Sequence, residues 1–189
     1  MNIRLKSPTK TKTALVLTVG HSTHPIEEFI EMLRANGVKR IVDVRTIPRS
    51  LHNPQYDKSL PEPLENAGIG YIHMAGLGGL RHTVKDSING GWRNASFRGY
   101  ADYMQTPEFA ASLNELIELA KKEQIAIMCA EAVPWRCHRS LIGDALLVRG
   151  ITVEDIMSLK SRVPHKLTSF AKMEGKKITY PAIIPLEKP

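Results

Sequence analysis

Between Cys129 and Arg139 the chain places both of its cysteines, Cys129 and Cys137, beside Glu131, Arg136, His138 and Arg139. A thiolate at a helix N-terminus near a cation is a nucleophile, a carboxyl can serve as general acid or base, and thiolate with imidazole can hold a metal. Three chemistries therefore compete for one short segment. For nucleophilic work Cys137 is the better placed thiol, flanked by Arg136 and His138 where a helix should begin, whereas Cys129 reads equally well as a small buried apolar residue. The Cys-x5-Arg cradle of phosphatases is not met, because that spacing from Cys129 ends on Trp135. Glu131 sits near Pro134 and Trp135, where burial would favour its protonated form and acid or base work, or it braces Arg136 or Arg139. Cys129, Cys137 and His138, with His21 or His73, offer a mixed thiolate and imidazole set for zinc. Against zinc, there is no CxxC pair or HExxH, and adjacent Cys137 and His138 should point to different sides of a helix turn. A reversible Cys129 to Cys137 disulfide lacks the spacing of thiol oxidoreductases.

Such a segment needs elements on either side. The apolar run Ile125–Met128 reads as a strand entering it, and Leu141, Ile142, Ala145 and Leu146 repeat at helical spacing after it, with Gly150 as a C-terminal cap. Ala14–Val19 reads as a first strand leaving into Gly20-His21-Ser22, and a helix starting at Pro25 carries Ile26, Phe29, Ile30 and Leu33 on one face. Ile41–Val44 is a second strand, interrupted by Asp43 and closed by Arg45; an acid there needs a partner, and a bracing pair and a catalytic pair are both open. Residues 46–57, with Arg49 and His52, read as irregular loop, and Ser59–Ala67 as a helix. A third strand, Tyr71–Met74, contains His73 and exits into Gly76-Leu77-Gly78-Gly79, which is either a tight turn or an anion-approaching backbone, without the pattern of a P-loop. Residues 81–98 read as one long polar loop with Trp92 and Phe97, followed by a short helix over 100–104 and another opened by Thr106-Pro107-Glu108. Ile151–Ile156 is a fifth strand, expected at an edge because of Glu154 and Asp155. Residues 158–189 show no clean period, and 178–184 suit an added strand or a docking arm.

Strands alternating with helices predict a single α/β domain: a mostly parallel open sheet of five or more strands with helices on both faces, a Rossmann- or flavodoxin-like three-layer arrangement over residues 13–157. All strand exits then share one edge, where six of the seven histidines lie. The +7 formal charge is not in this domain. A basic N-terminal tail, 1–12, carries +4 and a basic C-terminal extension, 158–189, carries +5, which leaves −2 for the rest. The tails offer phosphate contacts to nucleic acid, or solubility alone. No segment is apolar and long enough to span a membrane, and two cysteines make no disulfide framework, so a cytoplasmic protein with free thiols is expected.

The set Gly20-His21-Ser22, Asp43-Val44-Arg45 with Pro48, Tyr71-Ile72-His73, Leu77-Gly78-Gly79, Tyr100-Ala101, Cys129-Ala130-Glu131 and Cys137-His138-Arg139 resembles domain-of-unknown-function family 488, over about residues 15–156. The resemblance implies an α/β fold and groups these residues without naming a substrate. Where such proteins end the last strand in His-Ile, this chain has Asp155-Ile156.

The expected site is therefore a pocket at the strand exits for a small anionic, phosphate-bearing or nucleotide-like ligand. Its reactive groups would be Cys129, Glu131, Cys137 and His138, and its lining His21, Ser22, Asp43, Arg45, Arg49, His73, Gly78, Gly79, Arg98, Tyr100 and Arg139. Arg45, Arg49 and Arg139 would clamp the anion, since guanidinium suits phosphate and carboxylate. Hydrolysis, elimination and group transfer remain open, as do a nucleic-acid accessory module and a ligand sensor without catalysis.

Overall fold

The computed structural model describes residues 14–50 and 53–182. The basic tail 1–12, His52 and the last residues of the C-terminal extension lie outside them.

Six strands form one sheet: β1 (Leu15–Gly20), β2 (Arg40–Asp43), β3 (Gly70–His73), β4 (Ile125–Cys129), β5 (Thr152–Ser158) and β6 (Ser161–Pro164). The first five are parallel to one another and β6 is antiparallel to β5. The helices are α1 (Ile26–Ala35), α2 (Pro61–Asn66), α3 (Ala95–Tyr103), α4 (Pro107–Lys122) and α5 (Arg139–Leu147). One core holds Phe29 and Leu33 of α1 and Leu64 of α2 against Leu17, Val19 and Met128. The other holds Leu113 and Leu116 of α4 and Leu141 of α5 against Val16, Val42 and Ile127. Alternate residues of the central strands thus face opposite helical layers, which is why those strands are apolar almost throughout.

Strand order is β3-β2-β4-β1-β5-β6. It differs from the two common doubly wound orders, because β4 inserts between β1 and β2. The insertion sets the site: Gly20 pairs with Cys129 and Asp43 with Met128, so the exits of β1, β2 and β4 open side by side.

Three expectations change. Residues 81–98 are not all loop: α3 begins at Ala95, where the Asn94 side chain accepts hydrogen bonds from the amides of Ser96 and Phe97. That N-cap was readable, but Gly99 inside the first turns lowers the helical signal. Nor is β5 at the edge, since β6 covers it. The acids that suggested an edge are paired instead, Glu154 with Arg162 and Asp155 with His165. Residues after 157 also continue the sheet, as β6; beyond it, a separate hairpin of β7 (Lys172–Glu174) and β8 (Lys177–Thr179) leads to fully buried Tyr180, whose ring meets those of Trp92 and Phe170 at an angle.

His165 ties that segment to the sheet. Its Nδ1 and Nε2 donate to Asp155 and Asp144 at 3.1 and 3.2 Å. The Thr18 hydroxyl donates to Asp155, and the Tyr180 hydroxyl and the Thr168 amide donate to Asp144. Burial alone would push the His165 pKa down, but the two carboxylates outweigh it and raise it to about 9. No helix among the described residues is long and apolar enough to cross a membrane.

Candidate functional site

At the end of β2, Asp43 is 0% exposed and must be compensated. Its carboxylate accepts the Arg45 amide, Arg45 Nε and a terminal guanidinium nitrogen, and the Tyr71 hydroxyl at 2.7 Å. The remaining Arg45 nitrogen donates to the Tyr56 carbonyl at 2.7 Å and lies 3.4 Å from His21 Nε2. His21 donates from Nδ1 to the Ser22 carbonyl and stacks on Tyr56 with centroids 4.0 Å apart. Burial, helped by Arg45, holds its pKa down at about 4, so it is neutral near pH 7. His73 donates from Nε2 to the Arg45 carbonyl. The network uses nearly all its donors and acceptors on itself.

The exit of β4 differs. Cys129 ends the strand, its carbonyl accepting the His21 amide. The chain then runs through exposed Ala130, Glu131 and Ala132 to a 3-10 turn at Pro134–Arg136, and Cys137 and His138 precede α5. Cys137 has extended backbone, φ −140° and ψ 152°, while His138 is the helix N-cap. The two side chains therefore leave before the helical turn is established and need not diverge. One sulfur or nitrogen each of Cys129, Cys137 and His138 lie within 4.8 Å of one another, with Cys137 Sγ 3.8 Å from His138 Nδ1. The expectation that Cys137 and His138 point apart is overturned.

Each member is held from behind. His138 donates from Nε2 to the Val44 carbonyl at 2.8 Å; since a carbonyl only accepts, Nδ1 is the lone-pair nitrogen of the neutral ring, and it faces Cys137 Sγ. Its ring stands 5.0 Å from that of Tyr100, whose hydroxyl donates to the Leu77 carbonyl. A Cβ on Gly79 would lie 2.5 Å from His138 Nδ1, so the glycine turn is what lets the imidazole approach. Cys137 Sγ accepts the Arg139 amide and Arg139 Nε, both at 3.4 Å, while the other end of that guanidinium donates to the Glu131 carbonyl at 2.6 Å. Burial pushes the Cys137 thiol up, but the Cys129 hydrogen bond and the charge and N–H groups of Arg139 outweigh it and bring the pKa to about 6. Cys129, which supplies that hydrogen bond and is buried, is pushed up to about 12.

A pocket of about 360 Å³ opens over this triplet. Of the residues expected at the site, it is lined by Cys129, Glu131, Cys137, His138, Arg45, Arg49 and Gly79. His21, Ser22, Asp43, His73, Gly78, Tyr100 and Arg139 stand behind or beside it, and Arg98 lines a different depression near Lys85. Arg139 is 1% exposed, spent on Cys137 and Glu131, and does not reach the cavity. Glu131 is exposed on the rim rather than buried, and Trp135, expected to shield it, is itself 64% exposed. Sequence reasoning missed Thr46, Ile47, Leu80 and Ser96 of the lining, and left Arg136, the loop arginine beside Cys137, and Phe97, an aromatic of the 81–98 segment, outside the site.

A family model described as Domain of unknown function DUF488 matches residues 25–146, well over half of the chain. The match includes every residue that lines the pocket. No curated protein and no solved structure matches the chain.

Proposed function

The chain belongs to the DUF488 family, and from its geometry we propose that it binds a small anionic ligand, phosphate-bearing or nucleotide-like, and acts on it at the Cys129–Cys137–His138 triplet. The observation that carries this is the cradle at Cys137: two N–H groups from Arg139 aim at one sulfur on the pocket wall, a provision for negative charge that a merely packed thiol does not need. Arg49 and Arg136, both exposed at the pocket, supply the attraction for the anion, and Ile47, Leu80 and Phe97 a surface for its apolar part. Glu131 on the rim is the acid or base. Hydrolysis or group transfer at a centre held against the triplet suits these groups. Free Cys129 and Cys137 suit a reducing compartment such as the cytoplasm.

Thermal shift and calorimetric titration with inorganic phosphate, nucleoside monophosphates and sugar phosphates test the reading. At least one of them should raise the melting temperature of the wild-type protein, and raise that of the Arg49→Ala, Arg136→Ala double variant by clearly less at the same concentration. Indifference of the wild type to every anion, or equal shifts in both proteins, would overturn it.

A further inference from the structure

We propose that Cys129, Cys137 and His138 bind one zinc ion, with the fourth coordination position facing the pocket. The inference rests on the triplet being the reactive centre and names the cofactor of that centre.

Tetrahedral zinc with bonds of about 2.3 Å to sulfur and 2.0–2.1 Å to nitrogen separates its ligand atoms by about 3.5–3.8 Å. Cys137 Sγ and His138 Nδ1 are 3.8 Å apart, and all three donor atoms lie within 4.8 Å, so closure on an ion needs only small rotamer adjustments. The surroundings are those of ligands fixed in advance. The bond from His138 Nε2 to the Val44 carbonyl sets the tautomer and turns Nδ1 inward, the usual outer-shell arrangement of a metal-bound histidine. Two N–H groups of Arg139 on Cys137 Sγ stabilise the charge of a coordinating thiolate. Donors come from rigid places, the last residue of β4 and the two residues that lead into α5.

Donor type and number select the ion and its use. Two thiolates and one imidazole suit zinc over magnesium or calcium, which take oxygen. Three protein ligands with an open side are the composition of a catalytic site rather than of a closed structural one. Such a zinc would supply a Lewis acid and lower the pKa of a bound water to about 7. Two thiolates cancel the charge of the ion, so the adjacent Arg139 leaves the centre net positive and the fourth position inviting to an anion. Cysteine binds zinc as thiolate, so any thiol proton is released on binding and zinc uptake is pH-dependent.

The test uses full-length protein freed of metal by a chelator. Titration with Zn²⁺ against a chromophoric competitor should give one equivalent bound tightly, with affinity lowered at least 100-fold in Cys129→Ser, Cys137→Ser and His138→Gln variants whose circular dichroism is unchanged. Co²⁺ added to wild-type protein should give the thiolate-to-metal charge-transfer band and the intense visible bands of a tetrahedral site, a readout that needs no variant. Zinc binding that is absent, or equal in wild type and Cys129→Ser, or a cobalt spectrum without thiolate bands, overturns the proposal. If zinc fails while the anion shift of the Arg49 and Arg136 experiment persists, the metal falls alone; if the anion shift fails while zinc binds, the ligand reading falls and the metal stands.

Discussion

Two clusters of chemically capable residues lie side by side at the strand exits, and their difference lies in what each leaves unspent. Around Asp43, the carboxylate, Arg45, Tyr71, Tyr56 and His21 close on one another; Arg45 reaches the cavity wall with its guanidinium already engaged. Around Cys137 the supporting bonds come from Arg139 and from the Val44 carbonyl behind His138, while Cys129, Cys137 and His138 all line the cavity. Residue types alone do not separate a brace from a site. A buried polar network is fully paired when it holds the fold, and a site is a network whose last valences point at open space.

The comparison breaks most visibly at Asp43. Asp43→Ala leaves Arg45 buried without its partner, which should cost about 3–5 kcal/mol and lower the melting temperature by roughly 10 °C, whereas Cys137→Ser in metal-free protein should shift it by no more than a few degrees. Comparable losses in both variants would erase the distinction.

A pH series separates neutral from charged histidines. The folded pKa of His21, at about 4, is below its ordinary 6.5, so the unfolded chain takes up a proton that the folded one refuses, and stability falls from pH 6.5 toward 4. His165, at about 9, keeps a proton that the unfolded chain gives up, so the stability it adds is complete below pH 6.5 and is lost as pH rises through 9. Each limb is worth on the order of 3 kcal/mol. Urea unfolding across this range should show a maximum near pH 6.5, and His165→Asn should flatten the alkaline limb alone.

Gly79→Ala sharpens the other side. Its Cβ would collide with His138 Nδ1, so the triplet should be disturbed through a residue that donates nothing to it. Overpacking of this kind costs about 1–3 kcal/mol. A fall in thiol reactivity at Cys137 or in zinc affinity larger than that of Gly78→Ala would show that the imidazole's approach is what matters. The smallest effects belong to the rim: Arg49→Ala and Arg136→Ala singly should each weaken anion binding by about 0.2–1 kcal/mol, because exposed charges are screened. A change of that size confined to low ionic strength is the expected pattern in calorimetry.

Much of this was legible in the chain. Periodicity and turn residues placed β1, β2, β3 and β4 within a residue or two, and Cys129, Glu131, Cys137 and His138, neighbours in the sequence, line one cavity. What escaped depended on information that spacing does not carry. The insertion of β4 between β1 and β2 is a topological fact, and it decides which exits neighbour one another: the pair of Arg45 with Asp43 is local, but the approach of His21 to Arg45 is not. Arg139 read as a ligand clamp because an arginine at a helix start is usually free, and here its fork is drawn inward by Cys137 Sγ and the Glu131 carbonyl. The pairing of His165 with Asp155 and Asp144 spans β5, the segment after β6, and α5, and no local pattern announces it.

The claim that Cys137, and not its neighbour thiol, is the cradled reactive group is tested most directly by competitive alkylation. Metal-free native protein is treated briefly with iodoacetamide at pH 7, digested, and each cysteine's modification is measured by mass spectrometry. The account predicts rapid labelling of Cys137, little of Cys129, and slowing of Cys137 when Arg139 is replaced by glutamine. Labelling of Cys129 at the same rate as Cys137, or of neither until the protein is unfolded, would contradict it.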